Sequence, residues 1–81
     1  MDKKEILEKV TLIFRDILDN DEIELEYNTT SDNIEEWDSL TNVQLIVAIE
    51  KYFNIRFTSI EIVSWKNVGE LVDNISKKIL A

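Results

Sequence analysis

The chain has no proline and a single glycine, Gly69, among 81 residues. Tight hairpin turns lean on glycine and asparagine at positive φ, and proline is the usual residue for presetting a turn. With that chemistry nearly missing, helices joined by polar loops are favoured over a small sheet. The apolar spacing agrees. Ile6, Leu7, Val10, Ile13, Phe14, Ile17 and Leu18 recur at three- and four-residue intervals and predict a helix over Lys3 to Leu18. Asp2 is placed to cap it, with Glu5 three residues on in a capping-box arrangement.

Between Asp19 and Trp37 the periodicity fails, because acids and small polar residues bracket only a few apolar positions. The segment reads as a long ordered loop that packs its own side chains or serves a function. Ile23, Leu25 and Tyr27 alternate as a strand would, but a lone strand has no partner in this chain. A second helix is predicted over Ser39 to Phe53, with Asn54 to Phe57 as a connection. Thr58 with Glu61 forms another capping-box pattern ahead of a short helix, Ser59 to Trp65. Asn67 with Glu70 opens the last helix, whose apolar stripe is Val68, Leu71, Val72, Ile75, Ile79 and Leu80, with Lys77 and Lys78 at its carboxyl end, where positive charge is favoured. The expectation is an all-α, four-helix bundle of three longer helices and one short one, with a long loop between helices 1 and 2. It forms one domain over residues 1–81.

Composition excludes several functions. Nine basic against 17 acidic residues leave a formal charge of -8, so a nucleic-acid backbone would be repelled and proteins with positive surfaces are the expected partners. There is no cysteine for a disulfide or a thiol nucleophile, and no histidine for a general base or the commonest transition-metal ligand. No metal site on the chain and no stable membrane insertion are expected. The amino terminus, MDKKEILEKV, lacks the apolar region of a signal peptide, and the longest fully apolar run, Leu45 to Ile49, is too short to span a bilayer. A cytoplasmic monomer is the expectation.

On the second helix, with Ser39 at zero and about 100 degrees per residue, Leu45, Ile46, Ile49, Tyr52 and Phe53 fall together between roughly 220 and 340 degrees as the core stripe. Leu40, Val43 and Val47 form a second stripe between roughly 40 and 100 degrees, beside Ser39 and Glu50. The bundle could wrap this helix on two sides and bury that stripe. The other reading is an exposed apolar strip that docks partners. Both hold in part if Val43 points inward while Leu40 and Val47 stay at the surface. Ser39 is open to two readings as well. It is a helix N-cap, or Asp38 takes the cap and leaves the serine hydroxyl free in the first turn, near unpaired amides and the positive end of the helix dipole, where a phosphate ester is favoured. Asp38 would then be placed to help hold a metal ion while a modifying enzyme works.

Asp38-Ser39-Leu40 at a helix start, followed by Val43, Leu45, Ile46, Ala48, Ile49, Glu50 and Phe53, then Ile55 and Phe57, resembles the acyl carrier protein family. An amphipathic first helix, a long acidic loop, a short third helix and a closing amphipathic helix extend the resemblance over nearly the whole chain. It implies that a phosphopantetheinyl transferase moves 4'-phosphopantetheine from coenzyme A onto the Ser39 hydroxyl, within an attachment motif that includes Asp38 and Leu40. Acyl or aminoacyl groups then ride as thioesters on the arm's thiol and pass between loading and transferring enzymes. The reactive sulfur and the catalytic residues thus lie outside the polypeptide, which is a carrier and not an enzyme. The resemblance also implies an acyl cavity lined by residues such as Phe14, Ile46, Ile49 and Leu71.

The chain departs from the common carriers of fatty acid synthesis, whose modified-serine helix is rich in acids. Here Thr41, Asn42, Gln44, Lys51 and Tyr52 occupy much of that helix, and Glu50 is its one acid. Other acids lie on the flank, as Asp32, Glu35, Glu36 and Asp38, and further back as Asp19, Asp21, Glu22, Glu24 and Glu26. Trp37 stands where a small or aliphatic residue is common. These changes favour a free-standing specialised carrier, in lipid, polyketide, nonribosomal peptide or surface-polymer synthesis, with docking through Leu40, Val43, Val47, Glu50, Glu35 and Glu36. Against it stands a non-catalytic acidic helical interaction module in which Ser39 is a helix N-cap. An enzyme would need its serine activated without histidine, and Lys51 lies roughly three turns away.

Overall fold

Each helix begins where a short polar side chain offers an oxygen to amides that have no partner within the helix. In the computed structural model, which describes residues 1–80 and only the backbone at Leu80, the helices are α1 (Lys3–Ile17), α2 (Ser39–Phe53), α3 (Ser59–Ser64) and α4 (Val68–Leu80). The Asp2 carboxylate accepts the Glu5 N–H at 2.8 Å, a single cap in place of the expected capping box. Thr58 and Glu61 cap α3 reciprocally, at 3.2 and 2.8 Å, and Asn67 Oδ1 accepts the Glu70 N–H at 2.9 Å to start α4. Such caps contribute about 1 kcal/mol each.

With almost no glycine, the chain stops its helices by other means. Asp19 (φ 52°) and Asn54 (φ 57°) take the left-handed position that glycine usually fills. The Asn20 N–H reaches Arg15 O at 3.0 Å and the Ile55 N–H reaches Glu50 O at 3.0 Å, closing both carboxyl ends. The one glycine serves a close approach instead. The first amides of α4, Val68 and Gly69, donate to Thr29 O and Tyr27 O at 2.9 and 2.7 Å, so the long loop is stitched to the start of α4.

The expected bundle forms, with α1 packed against both α2 and α4. Ile6, Val10 and Phe14 of α1, Leu45 and Ile49 of α2, and Val68, Leu71, Val72 and Ile75 of α4 are buried together. Each of these side chains contributes about 1.5–3 kcal/mol relative to exposure. The loop between α1 and α2 supplies Ile23, Leu25 and Ile34 to the same core. It forms no strand; a 3-10 turn at Ser31–Asn33 is its one regular element among the described residues. Ile79 packs at the edge of the core, and the Leu80 side chain, expected in the same stripe, lies outside the described residues.

Two expectations for α2 need correction. Tyr52, placed in the core stripe, is 53% exposed, because at the stripe's margin its ring lies edge-on against Phe53 instead of entering the core. Val43, which could have turned inward but was also named for docking, is 58% exposed: α2 lays its Leu45 and Ile49 face against the core, and among the described residues its other side is uncovered.

Candidate functional site

The first turn of α2 decides between the two readings of Ser39. Asp38 is the N-cap: its Oδ1 accepts the N–H groups of Leu40 and Thr41 at 3.0 and 2.9 Å. Thr41 Oγ1 in turn accepts the Asp38 N–H at 2.9 Å and donates to Glu36 O at 2.8 Å. The Thr41 amide, opposed by desolvation and helped by the Thr41 hydroxyl and the Leu40 amide, holds the Asp38 carboxyl below its ordinary pKa. Ser39 is therefore the first helical residue and not the cap. It is exposed, and its hydroxyl has no hydrogen-bond partner among the described residues. Asp38 takes the Leu40 and Thr41 amides, so of the unpaired amides expected beside Ser39 only the serine's own N–H has no acceptor among the described residues.

Ser39 lines a cleft of about 280 Å³. Phe14 of α1, Leu45, Ile46 and Ile49 of α2, Ile62 of α3 and Leu71 of α4 form its apolar floor and sides, so Phe14, Ile46, Ile49 and Leu71 are brought together as expected. Two indoles complete the walls: Trp37, just before α2, and Trp65, between α3 and α4. Thr30, Ser31, Asp38, Asn42, Lys66 and Asn67 contribute its polar lining. A free hydroxyl next to a half-apolar cleft, with no histidine or cysteine in the chain, suits a group attached by another protein better than a nucleophile acting on its own. Among the described residues no cluster of acids could hold a metal ion.

The docking candidates divide. Leu40, Val43 and Val47 are exposed at 70%, 58% and 44%, an uncovered apolar strip on the face of α2 away from the core. Glu35 is exposed as well, whereas Glu36 Oε2 accepts from Asn20 Nδ2 at 2.8 Å. Glu50 is half-buried and its Oε2 accepts the Phe57 N–H at 2.9 Å, so its carboxylate holds the connection to α3. Sequence reasoning did not single out Ile60 and Val63, both exposed on α3, or the cleft residues Ile62 and Trp65. The i, i+3 spacing of Ile60 and Val63 was the available signal, obscured by the shortness of the helix.

A family model described as a phosphopantetheine attachment site matches residues 8–75, a span that contains Asp38-Ser39-Leu40. The chain is 35% identical over 81 residues to an acyl carrier protein of Guillardia theta, covering all of both proteins. It is 38% identical over 77 residues to one of Cyanidium caldarium, covering 95% of this chain and 90% of that protein. The solution NMR structure of a holo acyl carrier protein from Geobacter metallireducens superposes with a TM-score of 0.88 at 40% identity, covering 93% of this chain and 86% of that one. The chain belongs to the acyl carrier protein family: it is a carrier and not itself a catalyst, and its prosthetic group is 4'-phosphopantetheine. Its partners accordingly include a phosphopantetheinyl transferase and acyl-handling enzymes.

Proposed function

We propose that Ser39 is the attachment point of the 4'-phosphopantetheine arm and that the protein is a carrier for a specialised biosynthetic pathway. The observation that carries the first part is the uncapped, exposed Ser39 hydroxyl at the first position of α2, on the rim of the cleft. When bound, the arm supplies a thiol that holds acyl groups as thioesters. The polypeptide does the rest. Asp38 and Thr41 close the first turn so that Ser39 projects from a fixed backbone, and Leu40 stands exposed beside it for the modifying and acyl-transferring enzymes to grip.

The second part is supported by α2 itself. Its one acid, Glu50, is engaged with the Phe57 amide, so the helix presents apolar Leu40, Val43 and Val47 where an acid-rich face would present charge. Docking through that strip, with Ile60 and Val63 of α3 and a carboxylate edge at Glu35, selects partners with an apolar contact surface and a smaller basic margin. Polyketide, nonribosomal peptide, surface-polymer and specialised lipid pathways all fit this reading. With an arm drawn from coenzyme A, the protein works in the cytoplasm, as a monomeric carrier domain over residues 1–81.

Intact mass after incubation with coenzyme A and a broad-specificity phosphopantetheinyl transferase tests the assignment. The native chain is expected to gain one phosphopantetheine and Ser39→Ala none. No gain on the native chain, while a known carrier in the same tube is modified, would overturn it in favour of a helical interaction module.

A further inference from the structure

We infer that Lys51 and Arg56 select among the enzymes this carrier meets: they turn away docking faces that are basic throughout and favour a partner that sets a carboxylate opposite the carboxyl end of α2. The inference rests on docking through the apolar strip of α2, since it concerns the charge at one end of that strip.

On the angular count that groups Leu40, Val43 and Val47, Lys51 falls at about 120 degrees, one turn beyond Val47 on the same face. It is exposed, and with the equally exposed Arg56 it flanks a shallow groove whose apolar parts are Val47 and Ile55. Glu50 is the one carboxylate lining that groove, and its Oε2 accepts the Phe57 N–H at 2.9 Å. The ion pairs among the described residues are Lys3 with Asp73 and Lys78 with Glu61, so neither Lys51 nor Arg56 is neutralised by a partner. Lys51, in the last turn, does suit the negative end of the helix dipole. Arg56 lies past that end, in the connection to α3, and has no such role. Helix stability therefore does not account for the pair.

Their position makes the two cations selective. A formal charge of -8 draws basic enzymes toward this chain from a distance. From Ser39 to Lys51, α2 rises about 18 Å. Screening acts over about 8 Å at physiological salt, so Glu35 and Asp38, exposed at the serine end, do not cancel the cations at the other. The face is acidic where the serine stands and cationic where the apolar strip ends. A matching partner brings basic groups to the first, a carboxylate to the second and an apolar surface between them. An enzyme lined with lysine and arginine along its whole docking face sets cation against cation at Lys51 and Arg56, and like charges apposed across an interface are costly.

The test uses the full chain carrying its arm, verified by intact mass, as native protein, as Lys51→Glu/Arg56→Glu and as Lys51→Gln/Arg56→Gln. The probe is an acyl-transferring enzyme of fatty acid synthesis whose docking face is basic throughout, and kcat/KM is read at about 0.05 M and about 0.5 M salt. At low salt the glutamate form is expected to exceed the native chain about tenfold, through KM and not kcat, with the glutamine form between them and the differences fading at high salt. The glutamine form keeps the test decisive if the reversed chain fails to fold. In the probe, each docking-face lysine is then changed in turn to glutamate, and at least one change should reverse the preference toward the native chain. Equal turnover of the three forms, none included, would overturn the inference; so would a gain that high salt leaves undiminished, or a preference that no lysine change reverses. Val47→Ser, made in the glutamate form, separates the two readings. It should lower kcat/KM; if it does not, docking through the strip fails and this inference falls with it, whereas a loss without any charge preference overturns this inference alone.

Discussion

Replacing Gly69 by alanine should destabilise the protein, although alanine is the better helix former. Inside an exposed helix the exchange gains about 1 kcal/mol. Here the added Cβ would lie 2.7 Å from Tyr27 O and 3.2 Å from both Tyr27 Cβ and Asn67 Oδ1. The nearest atom is backbone and has no side-chain rotation with which to yield. Two responses are open. The loop holds its place and the overpacking costs about 1–3 kcal/mol. Otherwise it withdraws and loses the bonds from Val68 to Thr29 and from Gly69 to Tyr27, at about 1 kcal/mol each. Either route costs about 2 kcal/mol, and after the helix gain the net loss is about 1 kcal/mol. For a domain of this size that lowers Tm by about 4–8 °C, measurable by circular dichroism on heating and by urea titration. Hydrogen exchange at the Val68 amide should also accelerate, since that donor faces the loop. A rise in Tm for Gly69→Ala would refute the reasoning, because it would mean that helix propensity outweighs the contact and that the loop is not tied to α4 as described.

The remaining predictions concern acid sensitivity and docking. Glu61 has its pKa lowered to about 2, first by the Thr58 amide, then by Asn74 Nδ2 and Lys78. Being depressed in the folded state, it contributes stability above its unfolded value near 4.5, and that contribution drains away as pH falls from there toward about 2. Over that window Glu61→Gln should show a shallower loss of Tm than the native chain, from a lower starting Tm at pH 7; parallel curves would sink the idea. Val47→Asp leaves the core untouched, so its Tm should be nearly unchanged, while kcat/KM of a cognate acyl-transferring enzyme falls about tenfold, the loss expected of a buried apolar contact. Transfer at the native rate by every cognate enzyme would remove α2 from the docking surface.

What sequence alone determined here is what depends on near neighbours. Helix starts rest on a side-chain oxygen meeting an amide two or three residues on, and so Asp2, Thr58 and Asn67 could be read directly. The apolar face of α1 follows from the helical repeat, and the place of Ser39 in the chain from the residues that follow it. Tertiary structure decided what depends on distant segments meeting. Ile23, Leu25 and Ile34 have no helical period to announce them and are buried because the loop is carried over the core and stitched to α4 at Val68 and Gly69. The contest between Asp38 and Ser39 for the cap turned on backbone geometry, which placed the carboxylate within reach of two amides and left the hydroxyl to solvent. Whether α2 was wrapped or bare was undecidable from its two apolar stripes, since an apolar residue reads the same whether another helix covers it or not. The cleft is the furthest from local pattern: its lining spans Phe14 to Leu71, and its size is the gap left once those side chains have packed.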